Sequence, residues 1–238
     1  MKIGIMQPYF FPYIGYFQLI NAVDKWIVFD VVQYIERGWM NRNRILSPNI
    51  EKEWTYIVVP AKNHGRDELI SEVRIDDASA WQETIRGQLS YYKRIRAPYF
   101  EQTVALFDEI ATTRFDTISD LNVQTLKRTC EYLGIGLNFE ICSNMSMDFS
   151  NVKGPGDWAF EISTQMGADT YINPIGGVAL FDNERFRDAG IELKFLKSGN
   201  IEYKQSRRAF VPWLSIIDVM MFNSQGTIHS MLKDYELA

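Results

Sequence analysis

The segment Asn41-Arg42-Asn43-Arg44 places two cationic and two amide side chains in four consecutive residues. In an extended chain alternate side chains share a face, so the two asparagines are expected on one face and the two arginines on the other. Arginine can bind a phosphate or carboxylate through paired hydrogen bonds, and asparagine can bind a sugar hydroxyl or a base edge. With Trp39 as a stacking surface nearby, the segment is expected to bind an anionic substrate. A solvated surface run is the alternative.

Two residues are candidates for proton transfer. Asp30 closes an apolar run, and His64 lies with Lys62 in a polar loop. A carboxylate at a strand end or a histidine in such a loop can accept a proton from a substrate. Either Asp30 or His64 is expected to act as the base, with Lys62 as a substrate contact. A turn residue and a solvated loop histidine are the alternatives.

Other candidate substrate contacts are polar, aromatic or conformationally permissive. They are Gln7, Tyr9, Tyr13, Gly15, Tyr16, Gln33, Asn173, Tyr203 and Gln205, with Arg207 and Arg208 following in the same stretch. Gly15 stands where a loop turns into a helix, and a glycine there lets backbone N–H groups approach an anion. An ordinary helix start is the alternative. Nucleotide, metal and nucleophile motifs such as GxGxxG, HExxH and GxSxG are missing from the sequence, so neither a cofactor nor a metal is expected.

The elements that position these residues begin with a βαβ unit. Lys2–Met6 and Trp26–Asp30 are continuous apolar runs that predict buried strands, and residues 15–23 have helical spacing. A strand, helix and strand in succession predict a parallel pair with a right-handed crossover. Ligands bind beyond the carboxyl ends of such strands, so the residues after Met6 and those around Asp30 are expected to share one rim.

The rest of the chain repeats this alternation. Strands are predicted at 54–59, 69–75, 137–142, 170–172 and 191–195, and helices at 78–93, 98–110, 117–133, 157–166, 183–189 and 214–222. The fold class is therefore α/β, with a Rossmann-like parallel sheet, flanking helices and a helical C-terminal part. The polar, glycine-containing stretch 144–156 divides the chain into 1–143 and 144–238, which form either two units or one domain.

Composition excludes several classes of function. The chain has 238 residues, 46% of them hydrophobic, and a net charge of −5, which argues against broad nucleic-acid binding. Its apolar runs are shorter than the roughly 18–20 residues needed to span a bilayer. The N-terminus lacks the pattern of a targeting segment, and its two cysteines have no metal spacing. A cytoplasmic protein without a membrane span is expected.

Several longer segments resemble the WbqC-like family. They are IGIMQPYFFPYIGYFQLINAVD, VVQY followed by GWMNRNRI, YKRIRAPYF, MGADTYIN and FVPWLSIIDVMMFN, and together they run from about residue 3 to residue 226. The family is found in gene clusters for bacterial O-antigen and related surface polysaccharides. The resemblance therefore implies a pathway more than a reaction.

The opening segment is also similar to the HIGH-motif nucleotidylyl transferases, pantoate–amine ligases in particular. Where those proteins have H-x-G-H, this chain has Tyr13-Ile14-Gly15-Tyr16, so both histidines that support phosphate chemistry are replaced. Gln33 stands where the ligases use a glutamine to hold their substrate. The likeness implies a nucleotide-binding layout and puts ATP-dependent adenylation in doubt.

Together these resemblances favour a transferase that attaches an acyl or aminoacyl group to the amine of a nucleotide-linked amino sugar. The donor would be a thioester, with an acyl carrier protein as a possible partner. One alternative is a nucleotidyl transferase or ATP-dependent ligase with an altered motif. The other is a non-catalytic binding protein of the polysaccharide machinery.

Overall fold

A computed structural model describes residues 1–206 and 209–238, so Arg207 and Arg208 lie outside the described residues. The strands are β1 (Lys2–Met6), β2 (Lys25–Val28), β3 (Arg42–Leu46), β4 (Trp54–Val58), β5 (Phe139–Ile141), β6 (Thr170–Pro174), β7 (Glu192–Ser198) and β8 (Tyr235–Leu237). The helices are α1 (Ile14–Ala22), α2 (Trp81–Arg94), α3 (Phe100–Ala111), α4 (Ile118–Leu133), α5 (Asp157–Gln165), α6 (Asn183–Asp188), α7 (Ile216–Phe222) and α8 (Gln225–Met231). Two short 3-10 helices cover Cys142–Asn144 and Ile175–Leu180.

The main sheet has the strand order β5-β2-β1-β6-β7-β8. Its pairs are parallel except for β7 with β8, which run antiparallel. This confirms the predicted α/β class with a mostly parallel sheet and flanking helices. Strands from 1–143 and from 144–238 join in this one sheet, because β1 pairs with both β2 and β6.

The predicted βαβ unit is present, and it creates the predicted rim. Met6 lies opposite Val28 in the parallel register, and the Phe29 N–H donates to the Met6 carbonyl at 2.8 Å. The chain after β1 and the chain after β2 therefore leave the sheet side by side.

Capping residues define both ends of helix α4. The Thr117 hydroxyl caps the first turn by accepting from the Asp120 N–H, and Gly134 ends the helix with a φ of 67°. Ser119 lies within the first turn, two residues after the cap, and its buried hydroxyl donates to Asp30.

The second sheet is the antiparallel β3–β4 hairpin, which the sequence did not predict as a pair. The predicted strand at 69–75 does not form. Its backbone groups instead make single turn and bridge contacts, including the Ile70 N–H to the Val32 carbonyl at 2.9 Å.

The hairpin packs against α2 and α7, on the side of the main sheet that also carries α1, α3 and α4. A smaller apolar cluster lies on the opposite face, where Ile3, Ile5 and Ile27 contact α5 and α6. Within the described ranges, none of the helices has the length and apolar character required to cross a membrane.

Candidate functional site

The two arginines of β3 lie over aromatic rings. The Arg44 guanidinium is 4.3 Å from the centroid of Trp54 and 4.9 Å from that of Trp39, and the Arg42 guanidinium is 4.3 Å from that of Tyr56. Stacking on rings limits the conformations of a long side chain and leaves its outer N–H groups available to an anion. We call this paired surface the arginine strip.

The neighbouring Asn43 faces the other way, as the alternation predicted. It is 4% exposed, and its amide donates to the carbonyls of Phe10 and Phe11 at 3.0 and 2.9 Å. Its carbonyl oxygen accepts from the Arg44 N–H at 2.8 Å. The polar atoms of Asn43 therefore fix the loop after β1.

One end of the strip opens into a cleft of about 290 Å³, which we call the aromatic cleft. Its lining is Tyr9, Tyr13, Trp39, Asn43, Arg44 and Trp213. Five of these six residues were predicted from the sequence as substrate contacts. The sixth, Trp213, is 64% exposed and meets the Tyr13 ring edge-on at 5.8 Å.

Burial raises the pKa of the Tyr13 hydroxyl, and burial with the nearby Tyr13 raises the pKa of Tyr9. Both hydroxyls are therefore protonated at neutral pH and can donate or accept a hydrogen bond. Apart from Arg44, the cleft presents flat rings and neutral groups.

The start of α1 does not offer an open anion site, contrary to the prediction for Gly15. A Cβ at Gly15 would overlap the Tyr13 ring, so that ring fills the space next to the glycine. Tyr16 is 1% exposed, and its hydroxyl donates to the Gln7 carbonyl at 2.8 Å. Gly15 is needed because Tyr13 packs against the helix, and Tyr16 is a core residue that anchors the loop.

Two strained residues flank the aromatic cleft. Phe11 has a φ of 40° and Trp213 a φ of 61°, both in the left-handed region that ordinary side chains avoid. Phe11 is held by hydrogen bonds from Asn43 and from the Ser215 hydroxyl, the latter at 2.7 Å. Strain of this kind concentrates where function requires a fixed geometry.

The other end of the strip opens into a second cleft of about 420 Å³, which we call the polar cleft. Its lining is Tyr34, Glu36, Arg37, Asn41, Arg42, Val58, Ala61, Lys62, Asn63 and His64. It brings together four predicted residues, which are Asn41, Arg42, Lys62 and His64. The Arg42 guanidinium donates to the Arg37 carbonyl, which holds it at the cleft wall.

His64 is held in place by its neighbours. Its ring meets the Tyr34 ring edge-on at 4.9 Å, and its Nδ1 lies 3.1 Å from the Gly65 carbonyl. This contact assigns the proton of the neutral ring to Nδ1 and leaves Nε2 as an acceptor. Burial and Glu36 raise the pKa of Tyr34 to about 12, against the opposing effect of Arg42.

Asp30 lies away from both clefts. Its carboxylate is 1% exposed and accepts from the Ser143 N–H, the Ser143 hydroxyl and the Ser119 hydroxyl at 2.9, 2.8 and 3.2 Å. These bonds join the end of β2 to α4 and to the turn after β5. The geometry favours Asp30 as a structural anchor and leaves His64 as the base candidate in a cleft.

Three other predicted contacts are also used within the protein. Gln33 is exposed and donates to the Arg66 carbonyl at 2.6 Å, outside the two clefts. Asn173 is 8% exposed, accepts from the Tyr171 hydroxyl and donates to the Pro174 carbonyl. Gln7 contributes its backbone carbonyl to Tyr16.

The segment that carries Trp213 is anchored to helix α7. We call residues 199–206 and 209–214 the strap. Gln205 joins its two arms by donating to the Val211 carbonyl and accepting from the Val211 N–H, at 3.0 and 2.6 Å. Gln205 and Tyr203, both predicted as substrate contacts, also donate to the Asp218 carboxylate at 2.8 and 2.6 Å. They hold the strap in place.

Asp218 is fully buried on α7. It accepts a third hydrogen bond, from the Tyr92 hydroxyl at 2.6 Å, and that hydroxyl accepts from the Leu46 N–H in β3. These three donors to the carboxylate are neutral. Burial raises its pKa to about 6 in spite of the three hydrogen bonds.

Trp213 and Asp218 were not predicted as site residues, although the sequence around each carries a signal. Asp218 is the single charged residue in the apolar run 214–222, and a carboxylate there must find buried donors. Trp213 follows a proline, which ends regular structure and places a large ring in a loop.

The sequence model of the WbqC-like protein family matches residues 7–230. An uncharacterized protein of Mycobacterium tuberculosis is 28% identical over 223 residues, which is 93% of each chain. No solved structure matches the chain. Since the family match spans almost the whole sequence, including both clefts and the strap, the chain belongs to the WbqC-like family.

Proposed function

We propose that the chain is an enzyme, a transferase that attaches an acyl or aminoacyl group to the amine of a nucleotide-linked amino sugar during assembly of a bacterial surface glycan. The observation that carries the proposal is the arginine strip. Arg42 and Arg44 lie two residues apart on β3, and each lines one of the two clefts. Two fixed guanidinium groups suit a diphosphate with a chemical group attached at each end.

The polar cleft suits the sugar end of such a substrate. Asn41, Lys62 and Asn63 offer amide and ammonium groups that can bind hydroxyls. The Asn41 amide nitrogen is engaged with the Val59 carbonyl at 2.9 Å, while its buried carbonyl oxygen has no partner within the protein. A buried carbonyl oxygen without a hydrogen-bond donor is unfavourable, so a ligand or a water molecule is expected to donate a hydrogen bond to it.

The reaction needs one base. The amine nitrogen attacks the thioester carbonyl carbon, an N–C bond forms and the C–S bond breaks. The Nε2 atom of His64 takes the proton that the amine loses and returns it to the leaving thiolate. Because the acyl group arrives already activated, on an acyl carrier protein or a comparable thioester, the reaction requires no adenylation.

An ATP-dependent ligase is less consistent with the geometry. In that reaction the phosphates would lie at the start of α1, where the Tyr13 ring fills the space next to Gly15. A non-catalytic binding protein would use the same clefts, and it differs in needing no base at His64.

The transfer reaction can be measured by mass spectrometry. The purified chain is incubated with nucleotide-linked amino sugars and with acyl or aminoacyl thioesters, and we expect the sugar nucleotide to gain the mass of the acyl group. His64→Gln should lower the rate by about 10²- to 10⁴-fold. The control is His229→Gln, since His229 bonds the Leu133 carbonyl near the C-terminus. Absence of product across a broad panel, or a full rate for His64→Gln, would contradict the proposal.

A further inference from the structure

The lining of the aromatic cleft suits a flat ligand with few polar atoms better than a hydroxyl-rich one. Asn43 uses its polar atoms on the Phe10 and Phe11 carbonyls and on the Arg44 N–H. The other walls are four aromatic rings and the guanidinium of Arg44. A sugar ring would leave several hydroxyls without partners in such a cleft, whereas a flat heterocycle would stack and keep its few polar edge atoms on the tyrosine hydroxyls.

The arginine strip fixes which end of the substrate enters this cleft. Arg42 and Arg44 are separated by about 7 Å along the strand, and the polar groups suited to a sugar lie at the Arg42 end. A diphosphate on the strip would therefore place its nucleoside at the Arg44 end. From this arrangement we propose that the aromatic cleft binds the base of the nucleotide, with Trp213 as the wall that stacks on it. The assignment rests on the proposed function.

Trp213 has the properties of a stacking wall. It is 64% exposed and lacks enough protein around it to bury its ring. Its backbone is held in the left-handed region between Pro212 and Leu214. A small cavity of about 80 Å³, lined by Tyr13, Trp213 and Tyr203 among others, also borders this ring.

The strap keeps this wall in position. Gln205 closes the strap on itself through Val211, two residues before Trp213, and Asp218 anchors Gln205 to α7. A ring presented from a restrained loop loses less freedom on binding than one on a mobile loop. Trp213 is therefore preorganised to cover a base that lies against Tyr13 and Tyr9.

The test is calorimetric titration of the full chain with nucleoside diphosphates of uridine, guanosine, cytidine and adenosine, and with inorganic pyrophosphate. At least one nucleoside diphosphate should bind more tightly than pyrophosphate. Trp213→Ala should weaken that binding by about 5- to 150-fold, the effect of removing one base–aromatic stack. Trp213→Phe should retain most of the affinity. None of these changes should alter pyrophosphate binding.

The control is Leu180→Ala. Leu180 is an apolar residue on the 3-10 helix after β6 and is 56% exposed, so this substitution should leave all affinities unchanged. Because Trp213 is exposed, its variants should keep the wild-type unfolding midpoint. Equal affinity for pyrophosphate and every nucleoside diphosphate, or an unchanged affinity in Trp213→Ala, would overturn the assignment. Trp213-dependent nucleotide binding without any acyl transfer would uphold the base site and count against the proposed reaction alone.

Discussion

Because the Asp218 carboxylate is buried, we expect the free energy of unfolding to fall as pH rises. Burial raises its pKa from 3.8 to about 6 in the folded protein. The folded state therefore binds more protons than the unfolded state between these two values, and the free energy of unfolding falls as pH rises through that window. The difference corresponds to about 3 kcal/mol. The contribution is favourable below about pH 4 and is lost above about pH 6.

Urea unfolding of the wild type and of Asp218→Asn, from pH 4 to pH 8, isolates this effect. The variant keeps a polar side chain but cannot ionise, so the wild-type free energy of unfolding minus that of the variant should fall by about 3 kcal/mol over the range. Asp188→Asn is the control, because the Asp188 side chain is 77% exposed. The wild-type free energy of unfolding minus that of Asp188→Asn should not change between pH 4 and pH 8. A level or rising difference for Asp218→Asn would refute a buried carboxylate with neutral donors.

Three further changes test how the site is supported. Gly15→Ala should displace the Tyr13 ring from the aromatic cleft and weaken nucleotide binding in calorimetry. The control is Gly87→Ala in α2, where the space around the glycine is open, and this change should leave the free energy of unfolding unchanged or raise it by up to about 1 kcal/mol in urea unfolding. Equal effects of the two substitutions in both measurements would contradict this account. Asp30→Asn should lower the free energy of unfolding by about 1–3 kcal/mol, and a loss of activity at unchanged stability would instead make Asp30 the base. Asn43→Ala should cost about 1–3 kcal/mol in urea unfolding by leaving the Phe10 carbonyl without this donor and the Phe11 carbonyl with the Ser215 hydroxyl alone, and wild-type stability would show that the loop after β1 does not depend on Asn43.

Local patterns predicted the parts of the fold that depend on neighbouring residues. The β1–α1–β2 unit follows from apolar runs and helical spacing close together in the chain, and its rim follows because the carboxyl ends of parallel strands lie at one edge of the sheet. The alternation within residues 41–44 likewise predicted that Asn43 lies on the opposite face of β3 from Arg42 and Arg44.

Contacts between distant residues could not be predicted in this way. The packing of Trp213 against Tyr13 joins segments that are far apart in the chain. Polar residues near strand ends or in loops, such as Gln205 and Asn173, were predicted to contact substrate because they are polar. The structure uses their hydrogen bonds on backbone and buried partners instead, and the sequence does not reveal where those partners lie.

The central claim is that the arginine strip binds the diphosphate of a nucleotide-linked sugar. The most direct measurement is the calorimetric dissociation constant for a nucleotide-linked amino sugar, compared between the wild type, Arg42→Gln, Arg44→Gln and the exposed control Arg114→Gln, whose side chain is 81% exposed. We expect each strip variant to bind about 10- to 150-fold more weakly, as the loss of charged hydrogen bonds requires, while the control binds as the wild type does. Wild-type affinity in both strip variants, or no binding of any nucleotide-linked sugar by the wild type, would contradict the claim.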